Sequence, residues 1–152
     1  SIELSFCQSR SDLYSFRYNK SFYKRFTERI GKKVFKIASE KNFENRIKSF
    51  LKSNNCYFIK YWGGGEFTKA GVPDILACCN GKFLGIEVKA KNGKPSPLQI
   101  HNLKKIDEAG GYGILLYPDH FELFKNFIDC LNVDDVNTAC NYDLLKRRWS
   151  DG

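Results

Sequence analysis

The chain has 152 residues, 42% hydrophobic and 28% charged, which predicts one folded domain rather than a disordered chain. Its net charge of +8 favours an acidic partner, nucleic acid above all. No apolar run approaches the roughly 18–20 residues of a membrane span, and no signal-peptide pattern is visible. We therefore exclude membrane-spanning and collagen-like classes and expect an intracellular protein that is not secreted.

The six cysteines could form three disulfides, but the chain is not small and shows no export signal, so reduced thiols are expected. The sequence contains no C-x-x-C pair. Cys78 and Cys79 are adjacent and would point to opposite faces of a strand, which is unsuitable for a shared zinc ion. A structural zinc site is therefore not expected.

Residues 1–38 carry nine Lys or Arg and three acids, which is +6 of the net charge of +8, and aromatic residues are interleaved with these charges. We interpret this stretch as a basic, partly helical N-terminal extension before a domain over 39–152. Its cations could contact phosphates while its aromatics stack on bases. Equally, its aromatics could pack on the main domain while the other face stays basic.

The remaining segments alternate between helix and strand signals. Residues 42–53 place Phe43, Ile47, Phe50 and Leu51 on one helical face. Strands are predicted over 56–62, 74–79 and 82–89, the last two joined by the Asn80-Gly81 turn that is typical of hairpins.

Two capping patterns follow. Ser96, Pro97 and Gln99 form a capping box that should open a helix ending at Gly110-Gly111. A strand over 112–117 comes next, and residues 119–122 show a second capping box before a helix through about Leu131. The tail should add one more helix. This order predicts an α/β domain with a mixed central sheet of about four strands flanked by helices.

Three charged residues are expected to meet at one end of the hairpin. A tight Asn80-Gly81 turn pairs residues whose numbers add to about 161, so Asp74 faces Glu87. Glu87 and Lys89 are two apart and share a face. Two adjacent carboxylates repel each other, and a bound divalent cation removes the conflict. Oxygen ligands, including the Val88 carbonyl, favour Mg²⁺ or Mn²⁺ over zinc.

Such a site suits phosphodiester hydrolysis, because the metal generates the nucleophile while the amine of Lys89 stabilises charge on phosphate. Each part also has an ordinary interpretation. Asp after Pro is common at turns, and an E-x-K pair is often a surface ion pair worth under about 1 kcal/mol. The combination with the hairpin register favours the catalytic interpretation.

The order Gly71-Val72-Pro73-Asp74, Glu87-Val88-Lys89 and then Gln99 resembles the PD-(D/E)xK nuclease superfamily, in its VRR-NUC and Holliday-junction-resolvase-like branch. The resemblance covers about residues 42–125. It implies a restriction-endonuclease-like core and a metal-dependent endonuclease that hydrolyses DNA, a homodimer if it acts on junctions, with roles in DNA repair or recombination.

The resemblance also implies roles for individual residues. Asp74 and Glu87 would bind Mg²⁺ or Mn²⁺, Lys89 would be the catalytic lysine, and Gln99 would lie beside the metal-bound water or phosphate. Glu44 matches a further metal-side acid, although it could simply pair with Lys48.

Contacts with DNA are expected from cations outside this motif. Those around the motif are Lys69, Lys91 and Lys94, and those of the extension are Arg25, Arg29, Lys32 and Lys33. Glu66, Thr68 and His101 are weaker candidates. Two alternatives stay open: a nuclease for flaps, nicks or single strands, and a DNA-binding module that has the fold but does not cleave.

Overall fold

The computed structural model describes residues 20–63, 65 and 69–150, and for residues 20–24, 26 and 150 it describes the backbone alone. The expectations for Glu66, Thr68, Cys7 and the aromatics before residue 20 lie outside this part. The chain divides into two compact units, Ser1–Ile37 and Ala38–Gly152. In the described residues no helix is both long and apolar enough to cross a membrane.

A mixed four-stranded sheet forms the centre of the second unit, as predicted, in the order β1-β2-β3-β4. The strands are antiparallel except for β3 and β4, which pair in parallel. The described elements are α1 (Lys20–Ser53), β1 (Tyr57–Lys60), β2 (Ile75–Cys79), β3 (Lys82–Val88), α2 (Pro97–Glu108), β4 (Tyr112–Leu116), a 3-10 turn (Pro118–His120), α3 (Phe121–Asn132) and α4 (Asn137–Ser150).

The β2–β3 hairpin has the register that the turn residues predict. Asn80 and Gly81 both have positive φ, 47° and 73°, as a type I′ turn requires. Ile75 pairs with Ile86, which brings Asp74 and Glu87 to neighbouring positions just beyond that pair. The hairpin therefore fixes the place of both carboxylates.

The main core lies between one face of the sheet and helices α1 and α3. Phe43, Ile47 and Leu51 of α1 are buried, as their spacing predicts. Phe124, Phe127 and Ile128 of α3 pack in the same cluster, against alternate residues of the strands. This packing holds the C-terminal half of α1 against the sheet, and Glu44 lies in that half.

Helix α2 packs on the opposite face of the sheet. Two strand glycines allow its close approach, because a Cβ at Gly113 would collide with the Leu103 backbone and one at Gly85 with the Ile106 side chain. The predicted capping box is confirmed: Ser96 Oγ accepts from the Gln99 backbone N–H, and Gln99 Oε1 accepts from the Ser96 N–H. The cap fixes the first turn of α2 beside the hairpin end.

Helix α4 covers the outer edge of β4. The Tyr142 hydroxyl accepts a hydrogen bond from Gly113 N (3.1 Å), and Trp149 Nε1 donates to Gly113 O (3.0 Å). These side chains satisfy backbone groups that an edge strand otherwise leaves unpaired. The tail helix is therefore part of the folded unit.

Two expectations are wrong. Cys56 and Cys79 form a disulfide across β1 and β2, whereas reduced thiols were expected. The pairing depends on which strands are neighbours, and cysteine spacing does not reveal that. Helix α3 begins after a 3-10 turn, and its N-cap residue His120 makes no capping hydrogen bond, so the second capping box does not form.

Candidate active site

The Asp74 carboxylate is tied to the strand opposite. Its Oδ2 accepts a hydrogen bond from the backbone N–H of Val88 at 2.9 Å. The backbone carbonyl of Asp74 accepts from Tyr61 N at 2.8 Å, which joins the end of β1 to the same point. Asp74 is therefore held by backbone contacts on both sides, while its carboxylate remains partly exposed.

Glu87 is the most deeply buried charged residue of this cleft, with 1% of its surface exposed. Lys89 Nζ and Gln99 Nε2 both donate to its Oε1. Its second oxygen, Oε2, is buried and has no hydrogen-bond partner among the described residues. Burial and the negative charge of Asp74 raise the pKa of Glu87 to about 7, against the opposing effect of Lys89, and Glu40 adds to the rise.

Gln99 links the helix cap to the cleft. Its amide oxygen accepts from Ser96 N at 2.8 Å, and its amide nitrogen donates to Glu87. The cap and the contact with Glu87 are compatible because each uses a different end of the Gln99 amide. A change at Gln99 should therefore disturb the helix start and the carboxylate together.

Glu44 approaches from α1 but bonds to lysines rather than to Glu87. Lys60 Nζ lies 2.7 Å from Glu44 Oε2 and 3.3 Å from Asp74 Oδ1, and Lys48 Nζ lies 2.9 Å from Glu44 Oε1. Burial by itself would raise the pKa of Glu44, but the hydrogen bonds and charges of Lys60 and Lys48 outweigh it and lower the pKa. Glu44 is therefore held ionised.

Sequence reasoning missed two residues of this cleft. Lys60 bridges Glu44 and Asp74, and the Oε2 of Glu40 accepts from Ala90 N at 3.4 Å, just after Lys89. The sequence contained a signal for Lys60. It lies two residues after Phe58 on β1, so the two side chains share a face of the strand, and Phe58 packs against the core. A charge at such a position indicates a buried partner.

The donor atoms at the hairpin end fit a small divalent cation. Within the described part of the chain, Glu87 Oε2 is a buried carboxylate oxygen with no hydrogen-bond partner, and the neighbouring Asp74 carboxylate could supply a second oxygen donor. Oxygen donors of this kind suit Mg²⁺ or Mn²⁺. Across the part of the chain that the structure describes, no group of three or more His, Cys, Asp or Glu side chains has metal-binding geometry. A cation at this place would therefore be held by two carboxylates, those of Asp74 and Glu87, because Glu44 pairs with Lys48 and Lys60.

The cations expected to contact DNA are all exposed. Lys91 and Lys94 lie in the loop after β3, which the Tyr117 hydroxyl holds by donating to Gly93 O at 2.9 Å. Lys69 lies on the segment before β2. The cations of the extension lie on the first half of α1; they are Arg25, Arg29, Lys32 and Lys33.

The segment that contains the cleft matches a known protein family. Residues 36–109, just under half of the chain, match the family described as archaeal Holliday junction resolvase (Hjc). Over these residues the chain is similar to a family of the PD-(D/E)xK nuclease superfamily. This confirms the Holliday-junction-resolvase-like branch of the resemblance and the restriction-endonuclease-like fold.

The matched segment contains the second half of α1, the hairpin and α2, which are the elements that surround Glu87. No curated protein matches the chain significantly. The family is one of nucleases that act on Holliday junctions in recombination and repair.

Proposed function

We propose that this protein is a metal-dependent endonuclease that hydrolyses DNA phosphodiester bonds, with branched DNA such as a Holliday junction as its substrate. The observation that carries the proposal is the unpartnered, buried Oε2 of Glu87 beside Asp74, with the amine of Lys89 on the other oxygen. A carboxylate is costly to bury in this way unless a cation compensates it. The match to the resolvase family supports the choice of substrate.

Asp74 and Glu87 would hold Mg²⁺ or Mn²⁺, with the Val88 carbonyl as a further ligand. The ion would supply a Lewis acid for the phosphate and lower the pKa of a bound water. Lys89 neutralises Glu87 and presents a positive charge where negative charge develops on the phosphate. Gln99 fixes the orientation of the Glu87 carboxylate through its amide nitrogen.

Glu44 would act on the metal site indirectly, through Lys60. It does not contact Glu87, but Lys60 connects it to Asp74. Its negative charge therefore holds Lys60 in place and limits how far Lys60 neutralises Asp74. This is a positioning role rather than direct ligation.

DNA would be held by the exposed cations. Lys69, Lys91 and Lys94 would contact the strand that is cut, and the cations of α1 would contact other phosphates. A symmetric junction has two strands to cut, so we propose a homodimer. Since its substrate is DNA, the protein would act inside the cell, in the cytoplasm, nucleoid or nucleus.

The decisive experiment is a cleavage assay with Mg²⁺, Mn²⁺ or EDTA on a four-way junction, a flap, a single strand and a linear duplex. Paired cuts in the junction that need metal are expected. Metal-dependent cuts only in flaps or single strands would support the proposed hydrolysis but show that the substrate is not a junction. Tight binding without cutting of any probe would leave a DNA-binding module and refute the enzyme.

A further inference from the structure

An exposed tryptophan lies next to the acidic cleft. Trp62 follows the last residue of β1 by two positions and is 76% exposed. The other tryptophan, Trp149, is 4% exposed and donates to Gly113 O. Tryptophan is enriched at interfaces, where one part of its ring packs and the rest meets a partner, so an exposed ring beside a charged cleft is a candidate contact for a ligand.

Lys60 contacts both this ring and the cleft. Its Nζ lies 5.6 Å from the centroid of the Trp62 ring and 3.3 Å from Asp74 Oδ1. The ring centre therefore lies within about 9 Å of that carboxylate oxygen, the largest separation that the two distances allow. This is comparable with the span from a phosphate to its flanking bases.

The ring is also oriented for a second partner. Lys60 lies over the ring, so the ammonium attracts the negative face of the indole. With 76% of the residue exposed, the ring is not covered on both faces. Much of the ring is therefore accessible to a flat, neutral group.

We infer that Trp62 is a stacking platform for an unpaired base next to the phosphate that is cleaved. The inference rests on the proposed function and specifies its substrate, namely DNA with at least one unstacked base beside the cut. A base inside a paired duplex has both faces covered by its neighbours, whereas a base at a branch or fork offers a free face. Trp62 would therefore favour branched or frayed DNA over plain duplex without reading sequence.

The chain contains a matched control. Tyr57 lies at the start of the same strand β1 and is 74% exposed, but it pairs with Cys78 at the end of β2 remote from Asp74. Replacement of Tyr57 removes an equally exposed aromatic ring from the same strand. The variant Trp62→Phe keeps a ring at the site and leaves Trp149 as the sole tryptophan, which gives the background emission.

The experiment measures binding in EDTA, so that no cleavage takes place. The full chain is titrated with a forked duplex that has unpaired bases, a fully paired duplex of the same length and a four-way junction. Affinity and tryptophan emission are recorded for the wild type, Trp62→Ala, Trp62→Phe and Tyr57→Ala. Sedimentation of each protein without DNA reports its oligomeric state.

The expected result is quenching of wild-type emission by the forked probe, and no such quenching in Trp62→Phe. Trp62→Ala should bind the forked probe about 5- to 150-fold more weakly, the range for loss of one stacked base. Trp62→Phe should retain most of the affinity. Tyr57→Ala should change it less than about twofold, as should Trp62→Ala on the paired duplex.

Two results would overturn the inference while leaving the nuclease intact. One is wild-type binding to the forked probe without quenching, with equal affinities for Trp62→Ala and Tyr57→Ala. The other is a change from dimer to monomer in Trp62→Ala without DNA, which would make Trp62 a contact between copies. Failure of the wild type to bind any probe would instead refute the proposed function, and the inference with it.

Discussion

The cleft around Asp74 and the first half of α1 use charge in different ways. In the cleft the charges are few and paired, and Glu87 and Lys89 are only 1% and 9% exposed. On the first half of α1 the described cations are numerous and exposed. Burial magnifies the effect of each charge, whereas water and salt screen exposed charges, so that their number matters more. Single substitutions should therefore be severe in the cleft and mild on the helix.

The largest effect is expected for Asp74→Asn. The substitution removes the negative charge of a proposed metal ligand but keeps the size of the side chain, so cleavage should fall by about 10³-fold or more. Binding to a junction in EDTA should be nearly unchanged. The matched control is Asp129→Asn, at an exposed position of α3, which should cleave like the wild type. Equal loss of cleavage in both variants, or loss of folding in Asp74→Asn, would contradict the catalytic role.

The next effect concerns pH and stability. The pKa of Glu87 is about 7 in the folded protein against 4.5 as the ordinary value. Because the folded pKa is the higher, Glu87 stabilises the fold fully below about pH 4.5, and this stability is lost as the pH rises through about 7. In EDTA the loss should be about 3 kcal/mol in the free energy of unfolding.

Glu87→Gln should abolish this dependence, since glutamine does not titrate. Urea unfolding of both proteins at several pH values tests it. The free energy of unfolding of the variant, relative to the wild type, should increase between pH 4.5 and 8. Addition of Mn²⁺ at pH 8 should stabilise the wild type much more than the variant. If the difference in free energy of unfolding between the two proteins is constant across pH, burial does not raise the pKa of Glu87.

Glu44→Gln should have a smaller effect on cleavage than Asp74→Asn. We propose that Glu44 acts through Lys60 rather than as a metal ligand, and loss of such an outer partner reduces activity or metal affinity about 10- to 100-fold. Titration with metal by calorimetry measures the metal affinity, and the cleavage assay measures the activity. Glu122→Gln is the control, because Glu122 pairs with Lys125 on the surface. A loss as large as that for Asp74→Asn would make Glu44 a direct ligand.

The smallest effect per residue is expected on α1. Replacement of Arg25, Arg29, Lys32 and Lys33 by Gln, singly and together, should weaken DNA binding by small and cumulative steps. Each lost phosphate contact should reduce the slope of log affinity against log salt by about 0.9. The cleavage rate at saturating DNA should persist. Lys104→Gln, an exposed lysine on α2, is the control of equal charge. An unchanged slope in the fourfold variant would show that this helix does not contact DNA.

Local sequence was enough to predict the frame of the cleft. The Asn80-Gly81 turn fixes the hairpin register, because its two residues tolerate positive φ, and so it places Asp74 opposite Glu87. The Ser96 cap fixes the start of α2, which brings Gln99 to Glu87. These features depend on residues close together in the chain, where backbone geometry leaves few alternatives.

Contacts between segments distant in sequence determine the other features of the cleft and its surroundings. The bridge from Lys60 to Glu44 and Asp74, the Cys56–Cys79 disulfide, and the place of Trp62 beside the cleft all depend on which strand lies next to β2. The sequence by itself determined the elements, the hairpin register and the acidic pair, since turns, caps and periodicity act locally. Only the tertiary structure determined which charges are buried together, because desolvation and pairing depend on packing among segments that are distant in sequence.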